Sequence, residues 1–594
     1  MSIDLESLAK TSASTIEDIN YEYSPYEITQ LQNFNPILGN FFPIESNDTT
    51  ATYALNHKYH IQDLNTVVDV ASQTPLSKEV FVKFSPLLDP IRYMIGKYKQ
   101  DDSKIRTMPT FQKSSDSHPK IVDTNNAAYT DSFFSYLTSQ MLNHHGFVHG
   151  LDYYGTAVGV QAKYKMNVTD DLEYLNSSSY FTENMNKLFT ITDMGGEDFT
   201  NFGSRRNKNR ILIGDDAEID SAAVLLDDVE VVDTIDANAD ANGTNADNEL
   251  VQEYVKEREM DEMSDTSSSD SSNNSELNYS SGEDDEDGDG EDDATDGEAS
   301  EDDDEDGDSE DSSDDKDALL NALDPDNDND WQTESSLSDS SEVERFAYIK
   351  DFPVQLICLE KCQGTLDELF DKNKLDPDLA ASALFQIVMI LLSYQKSFHF
   401  THNDLHTNNI MFNDTNIENL YYKYKNVVYK VPTYGKVFKL IDFGRSIYRF
   451  DGKVFCSDSF APGGDAATQY NCEPYLNEKK PRLDPNYSFD LCRLGCSIYD
   501  FIIEDDNVDP KKLDPLQQTI HRWCSDDEGK NVLYKKNGDE RYPNFKLYKM
   551  IARTVHNHRP EQQLEFDYFK QFATKEKVDS IMDCIDLDAL PVYV

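Results

Sequence analysis

The sequence predicts an α+β fold of two lobes, and two observations carry that expectation. Short β-rich runs dominate the first 160 residues, whereas long apolar helical patterns dominate after residue 375. A strongly acidic, Ser- and Asn-rich stretch interrupts the β-rich part. Strands gathered at one end and helices at the other suit a small β-rich lobe with a long insertion, joined to a larger helical lobe. The expected organisation is an N-terminal extension (1–50), the first part of the small lobe (51–164) and an acidic, largely disordered insertion (165–344). The last strand with the hinge (345–360) and the large lobe (361–594) follow.

The elements follow in order. Residues 1–50 are Asn-rich without a strong period and are left as an extension. NTVVDVA (65–71) and KEVFVKF (78–84) read as strands, with SQTPLS between them as a turn or loop. Residues 126–143 read as a helix whose Phe133, Phe134, Leu137 and Met141 share one apolar face. HGLDYYGTAVGV (149–160) and RFAYIKDFPVQLICLE (345–360) read as strands. LDPDLAASALFQIVMILLSYQKSF (375–398) reads as a long helix, with an N-cap in DPDL and Pro377 in its first turn. SFDLCRLGCSIYDFI (488–502) and FKLYKMIARTV (545–555) read as later helices.

The formal net charge is −60, but it is concentrated. Residues 211–345 hold 51 Asp/Glu against 4 Lys/Arg, a net of −47. Such a stretch cannot bury enough apolar surface to offset its ordering entropy. This balance argues against direct nucleic-acid binding and for a basic protein as any partner of the insertion. Ser280, Ser281, Ser340 and Ser341 lie among acids, a context that acid-directed kinases prefer, and SRRNKNR (204–210) is a local basic cluster that can meet the acidic tract or act as an import signal. The eight Cys show no zinc-ligand spacing and read as reduced thiols. The start MSIDLESLAK has no apolar segment of a secretory signal, and the apolar run ALFQIVMILL reads as too short to cross a bilayer. An intracellular chain without membrane association is expected.

The chemistry concentrates in HFTHNDLHTNNIMFN (399–413) and KLIDFGRS (439–446). Asp404 and Asn409 stand five apart in a polar loop between a buried helix and a short apolar run. A carboxylate that accepts a hydroxyl proton, beside a carboxamide oxygen that can hold Mg²⁺, is the pairing phosphoryl transfer needs. Asp442 ends an apolar strand and precedes Phe443 and Gly444, where a carboxylate can bridge metal ions bound to phosphates.

With these motifs in order, the chain resembles the eukaryotic-type protein kinase superfamily over roughly 51–160 and 345–575. VFVK (80–83) resembles the strand whose Lys binds the α/β-phosphates of ATP, which assigns that role to Lys83. LICLEKCQGTLDEL (356–369) resembles the hinge, with Leu359 as gatekeeper and with Glu360 and Cys362 offering backbone groups to adenine. Asp490 resembles the helix Asp that holds the loop backbone, and Arg559-Pro560 matches a late large-lobe pattern. The D-L-H-x-x-N form resembles haspin-like kinases. VFVKFSPLLDPIRYMIGKY, DAATQYN and KKNGDERYPNFKLYKMIARTVHNH are similar to protein kinases of giant nucleocytoplasmic DNA viruses, which would set the chain in host cytoplasm, nucleus or virion. The resemblance implies ATP and Mg²⁺, a protein substrate and a Ser/Thr acceptor. A pseudokinase scaffold is the alternative.

Departures from the pattern sharpen the expectation. No Gly-rich loop precedes Lys83, since Gly39 is the only Gly in residues 1–95. Phe81 stands where the family has a small residue. Asp131 is the one acid in 126–143 and so the candidate partner of Lys83. Asn403 replaces the Arg that receives an activation-segment phosphate, so activity without such phosphorylation is expected. His406 replaces a phosphate-steadying Lys and becomes a pH-dependent phosphate contact. Glu473 and Glu478 are the candidate partners of Arg559.

Overall fold

The structure is a computed structural model. It describes residues 27–41, 55–110, 116–193 except 170, and 345–594 except 373, 504–509, 537, 544 and 577–582. The acidic tract from 194 to 344, with SRRNKNR and the four serines, lies outside the described residues, as do residues 1–26.

The first strands are β1 (Ile28–Gln32), β2 (Tyr59–Asp63), β3 (Thr66–Asp69), β4 (Thr74–Ser77), β5 (Val80–Pro86), β6 (Tyr153–Asn167), β7 (Phe189–Asp193) and β8 (Arg345–Glu360). An antiparallel sheet runs β1-β6-β8-β5, and β7 pairs with the first residues of β8. β8 is central and paired along both edges, which explains its near-continuous apolar run. The register sets Lys83 opposite Ile357 and Phe81 opposite Leu359. Phe81, Lys83 and Ser85 alternate onto one face of β5.

Four expectations change here. SQTPLS is not only a turn: Thr74–Ser77 pair with β3 as the third strand of a meander, because Pro75 lies on an exposed edge where no amide is needed. Residues 28–32 join the main sheet, so part of the assigned extension belongs to the fold. The span assigned to the insertion starts too early. Residues up to Asp193 complete the sheet, held by Phe181 stacked on Phe189 at 5.1 Å, both fully buried. That stretch lacks a clear period because only a few of its side chains reach the core.

The fourth change concerns helix α1 (Ala127–His145), which is capped by Asn126 and ended by Gly146 at φ 64°. The sequence suggests one apolar face, yet every residue from Ala128 to Met141 is buried. Several of its polar side chains are absorbed by hydrogen bonds: Ser132 accepts from Gln355 at 3.0 Å, and Ser139 accepts the Tyr153 amide at 3.1 Å. A helix packed on all sides needs no apolar stripe.

The chain then forms β9 (Gly364–Thr365), helix α2 (Pro377–Phe398), β10 (Ile410–Asp414), β11 (Asn419–Tyr424), β12 (Val427–Pro432), β13 (Lys436–Leu440), β14 (Ile447–Phe450) and β15 (Lys453–Cys456). Helices α3 (Phe489–Ile502), α4 (Pro515–Trp523) and α5 (Lys546–Thr554) follow. Asp376 caps α2 by accepting the Leu379 amide at 2.8 Å. With 22 residues, α2 is long and apolar enough to cross a bilayer, contrary to the reading from its core run. In the fold, 89% of its most apolar window is buried, which makes it the central core helix. The later half is less purely helical than expected. β11 and β12 form a hairpin whose turn residues Lys425 and Asn426 both take positive φ, as a tight hairpin turn requires.

Phe134 joins these parts. It stacks on Phe400 at 4.3 Å and meets Phe443 at 4.8 Å, Tyr448 at 4.8 Å and Tyr394 at 5.3 Å. Its side chain is fully buried. Phe134→Ala is expected to cost about 3–5 kcal/mol, from lost burial plus a cavity. Guanidinium unfolding of the full chain measures it.

Candidate functional site

β5 carries Lys83 into the interior, where its side chain is 7% exposed. Its ammonium donates to Asp131 Oδ2 at 2.8 Å and to Asp442 Oδ1 at 2.8 Å. Burial alone would lower the Lys83 pKa, but the two carboxylates outweigh it and hold the group charged well above its ordinary value. Burial likewise opposes charge on Asp442, and the ammonium overcomes it, so Asp442 stays below the usual carboxylate range. Asp131 moves the other way: burial pushes its carboxyl up, and Lys83 offsets this only in part because Asp442 adds a like charge. Asp131 is also fixed by the Phe443 amide, which donates to its Oδ1 at 2.9 Å. The expected partner of Lys83 is therefore in place, on the first turns of α1.

The loop 402–409 is pinned from below. Asp490, near the start of α3, accepts the amides of His402 and Asn403, each at 2.9 Å. His402 Nε2 meets the Ile441 carbonyl at 2.9 Å. Asn409 donates its amide nitrogen to the Asp404 carbonyl at 2.9 Å, which leaves its carboxamide oxygen on the opposite branch. The Asn409 carbonyl accepts from the Ile441 amide at 3.1 Å, tying this loop to the residues that lead from β13 to Asp442.

Asn403 answers a question the sequence raises. It sits at φ 63°, a conformation asparagine tolerates, and is fully buried. Its amide nitrogen donates to the Arg445 carbonyl at 3.0 Å, and its oxygen accepts from Tyr470 at 2.8 Å. A neutral carboxamide thus links the loop directly to the segment after Asp442. That segment is anchored again by Asp458, which accepts the Ala127 amide at 3.0 Å and pairs with Lys120 at 2.8 Å. This negative group sits at the N-terminus of α1, where the helix dipole favours it.

Asp404 keeps its charge in an electropositive setting. Burial works against ionisation, but Arg445, His406 and Arg493 outweigh it with a hydrogen bond from Tyr548, and its pKa falls to about 2. Arg445 approaches Asp404 Oδ2 at 3.6 Å and is paired with Asp465 at 2.8 Å. His406 thus lies close enough for its charge to act on Asp404.

The remaining expected residues separate. The Glu360 side chain binds buried Lys439 and accepts the Asp152 amide at 3.1 Å, while its own amide donates to the Asp152 carbonyl at 2.9 Å. Glu360 is thus a structural tie between β8 and β13. Cys362 is half-buried, and burial pushes its thiol up to about 12. A cleft of about 600 Å³ opens at Lys83, Asp131 and Asp442 and extends past Gly444 to Asp458 and Gly463. Asp404, Asn409, His406, Glu360 and Cys362 do not line it. Gly39 lies in a short turn beside Phe41, whose ring packs on Phe133 of α1 at 5.7 Å. Glu473 pairs with Arg482 at 2.7 Å, and Arg559 lies over the Tyr487 ring at 5.6 Å. Neither contact joins Glu473 to Arg559, because Glu473 is committed to a two-pronged pair with Arg482.

Short stretches of this sequence are similar to known proteins. A stretch of 116 residues, 18% of this chain, is 36% identical to the serine/threonine-protein kinase haspin of Mus musculus. The match is to a protein kinase. An 81-residue stretch, 14% of the chain, is 36% identical to haspin of Bos taurus. The matches cover 15% and 10% of those proteins, so the chain spans only a small part of the curated relatives it matches. No family model matches the chain.

Sequence reasoning missed Asp458, Arg445 and Tyr548. Arg445 follows Gly444 directly and its charge was legible there. Nothing in the sequence ties Asp458 to Ala127, 331 residues away, or Tyr548 to Asp404, 144 residues away.

The ion cluster is open to test. Lys83→Met leaves the buried Asp131 without its cation, and is expected to cost about 3–5 kcal/mol at pH 7. The carboxyl then binds its proton more tightly folded than unfolded. The deficit should shrink as pH falls from 7 to 5, because protonation relieves the buried charge. Urea unfolding of both chains across that range checks the sign.

Proposed function

We propose that the chain is a protein kinase that transfers the γ-phosphoryl group of ATP to a protein hydroxyl, with serine or threonine as acceptor. The observation that carries this reading is the buried Lys83 ammonium shared between Asp131 and Asp442, beside a loop that holds Asp404 and Asn409. Lys83 binds and orients the α- and β-phosphates, and Asp131 holds Lys83 in place. Asp404 orients the acceptor hydroxyl and takes its proton as the new P–O bond forms and the bond to ADP breaks.

Mg²⁺ fits the donors present. Asp442 offers a hard carboxylate oxygen and Asn409 a carboxamide oxygen, whose nitrogen is already committed to the Asp404 carbonyl. Two protein ligands plus substrate phosphates are the usual Mg²⁺ arrangement, and no group of three or more His, Cys, Asp or Glu positioned for a metal occurs among the described residues. The ion, when bound, neutralises charge on the transferred phosphate. Glu360 and Cys362 are proposed to meet adenine through backbone groups only, since the Glu360 carboxylate is committed to Lys439. His406 is proposed as a phosphate contact of partial charge.

A segment that depends on Asn403 and Asp458 for its anchors has no need of a phosphate at those points. The pseudokinase scaffold keeps one supporting observation: no glycine-rich turn precedes Lys83 in the sequence. Partners of the acidic tract would then be basic proteins.

Incubation with γ-labelled ATP, Mg²⁺ and generic basic and acidic proteins is expected to label the protein substrates. Asp404→Asn should lower the rate by about 10²-fold or more. Equal labelling by that variant would sink the site, and no labelling by the wild type would favour the scaffold. Prior phosphatase treatment is expected to leave the rate unchanged, which the same assay reads.

A further inference from the structure

We propose that Tyr548 is a positioning residue that sets which oxygen of Asp404 faces the acceptor hydroxyl. This rests on the kinase reading and adds a residue from outside every motif that supports it.

Tyr548 lies in the first turn of α5 and is 1% exposed. Its ring stacks on Phe545, with centroids 5.4 Å apart and planes 13° apart, and meets Phe489 at 6.1 Å. The ring is therefore held from two sides. Its oxygen stands 2.8 Å from Asp404 Oδ1 and 2.8 Å from Arg493 Nε. Arg493 comes from α3 and is itself 7% exposed.

The direction of these two bonds is settled by valence. A guanidinium has no acceptor, so Arg493 can only donate to the phenol oxygen. A phenol carries one proton, and an ionised carboxylate can only accept. The Tyr548 O–H therefore donates to Asp404. A chain of fixed polarity runs from Arg493 through Tyr548 to Asp404.

The two oxygens of Asp404 are thereby made unequal. Oδ1 is held by a short hydrogen bond from a rigid ring. Oδ2 has Arg445 at 3.6 Å, an ion-pair contact too long to be a hydrogen bond. The terminal torsion of an aspartate is broad and roughly two-fold, so nothing in the side chain itself fixes its orientation. Tyr548 supplies that constraint and leaves Oδ2 as the oxygen that an entering hydroxyl can engage. Arg445 is kept off a tight contact by its own pair with Asp465.

Tyr548→Phe removes one oxygen and keeps the stacked ring. Its kcat for phosphate transfer is expected to fall about tenfold, the worth of one charge-assisted hydrogen bond. KM for ATP should stay within about twofold, since Lys83, Asp131 and Asp442 are untouched. In an Asp404→Ala background the same change should alter the residual rate by less than about twofold. Arg493→Lys retains the charge but releases the phenol oxygen, and should lower kcat in the same direction by about threefold. Thermal melting of each variant establishes that it is folded.

An unchanged kcat in folded Tyr548→Phe and Arg493→Lys overturns this role alone. So does an equal tenfold loss with and without Asp404, which would make the effect structural. A wild-type chain that transfers no phosphate overturns the kinase reading and this role together.

Discussion

The site depends on one buried cation. Lys83 sits between Asp131 and Asp442, and each of the three groups comes from a different part of the chain: β5, the start of α1 and the residues just after β13. A lone ammonium at that depth would lose its charge, and two carboxylates without it would repel each other. Each partner makes the others tolerable, so the arrangement forms as a unit or fails as one. The amide of Phe443 adds a second tie to Asp131, and thereby fixes the residue that follows Asp442.

Around this cluster the polar interior is built from directed hydrogen bonds. Asp490 takes two successive amides of the loop, and Asn403 binds both the Arg445 carbonyl and the Tyr470 hydroxyl. The Asn403 carboxamide positions backbone without adding charge, whereas Asp490 does so with a carboxyl whose ionisation burial opposes. Ion pairs add further ties: Lys439 with Glu360 joins β13 to β8, and Lys120 with Asp458 joins the turn before α1 to the later segment. The Phe134 cluster supplies the apolar counterpart, since its partners come from α2, the loop, the residue after Asp442 and β14. Packing and polar ties thus converge on the same short segments.

Much of the fold was legible wherever a local signal was strong. The long helix α2 announces itself through its cap, Pro377 and an apolar core, and β8 through an unbroken apolar run. What escaped was decided by pairing between distant residues. Thr74–Ser77 read as a loop because an exposed edge strand has no apolar period, and β7 was hidden because its sheet partner lies across the acidic tract. The one-faced reading of α1 failed for a related reason. Buried Ser and Thr look like a solvent face until Gln355, Leu151 and Tyr153 are seen to bind them.

The sequence by itself determined the chemistry-bearing residue types and their order, because Asp404, Asn409 and Asp442 stand in short motifs whose spacing can be read along the chain. It also pointed to Asp131 as partner of Lys83, since no other acid lies in that helix. Only the tertiary structure decided how those groups are held. The Glu360 carboxylate became a structural tie, Glu473 went to Arg482, Asn403 became a neutral linker, and Tyr548 arrived at Asp404 from 144 residues away. Hydrogen bonds and ion pairs act over about 3 Å in space and carry no memory of separation in sequence, so their partners are settled by packing rather than by pattern.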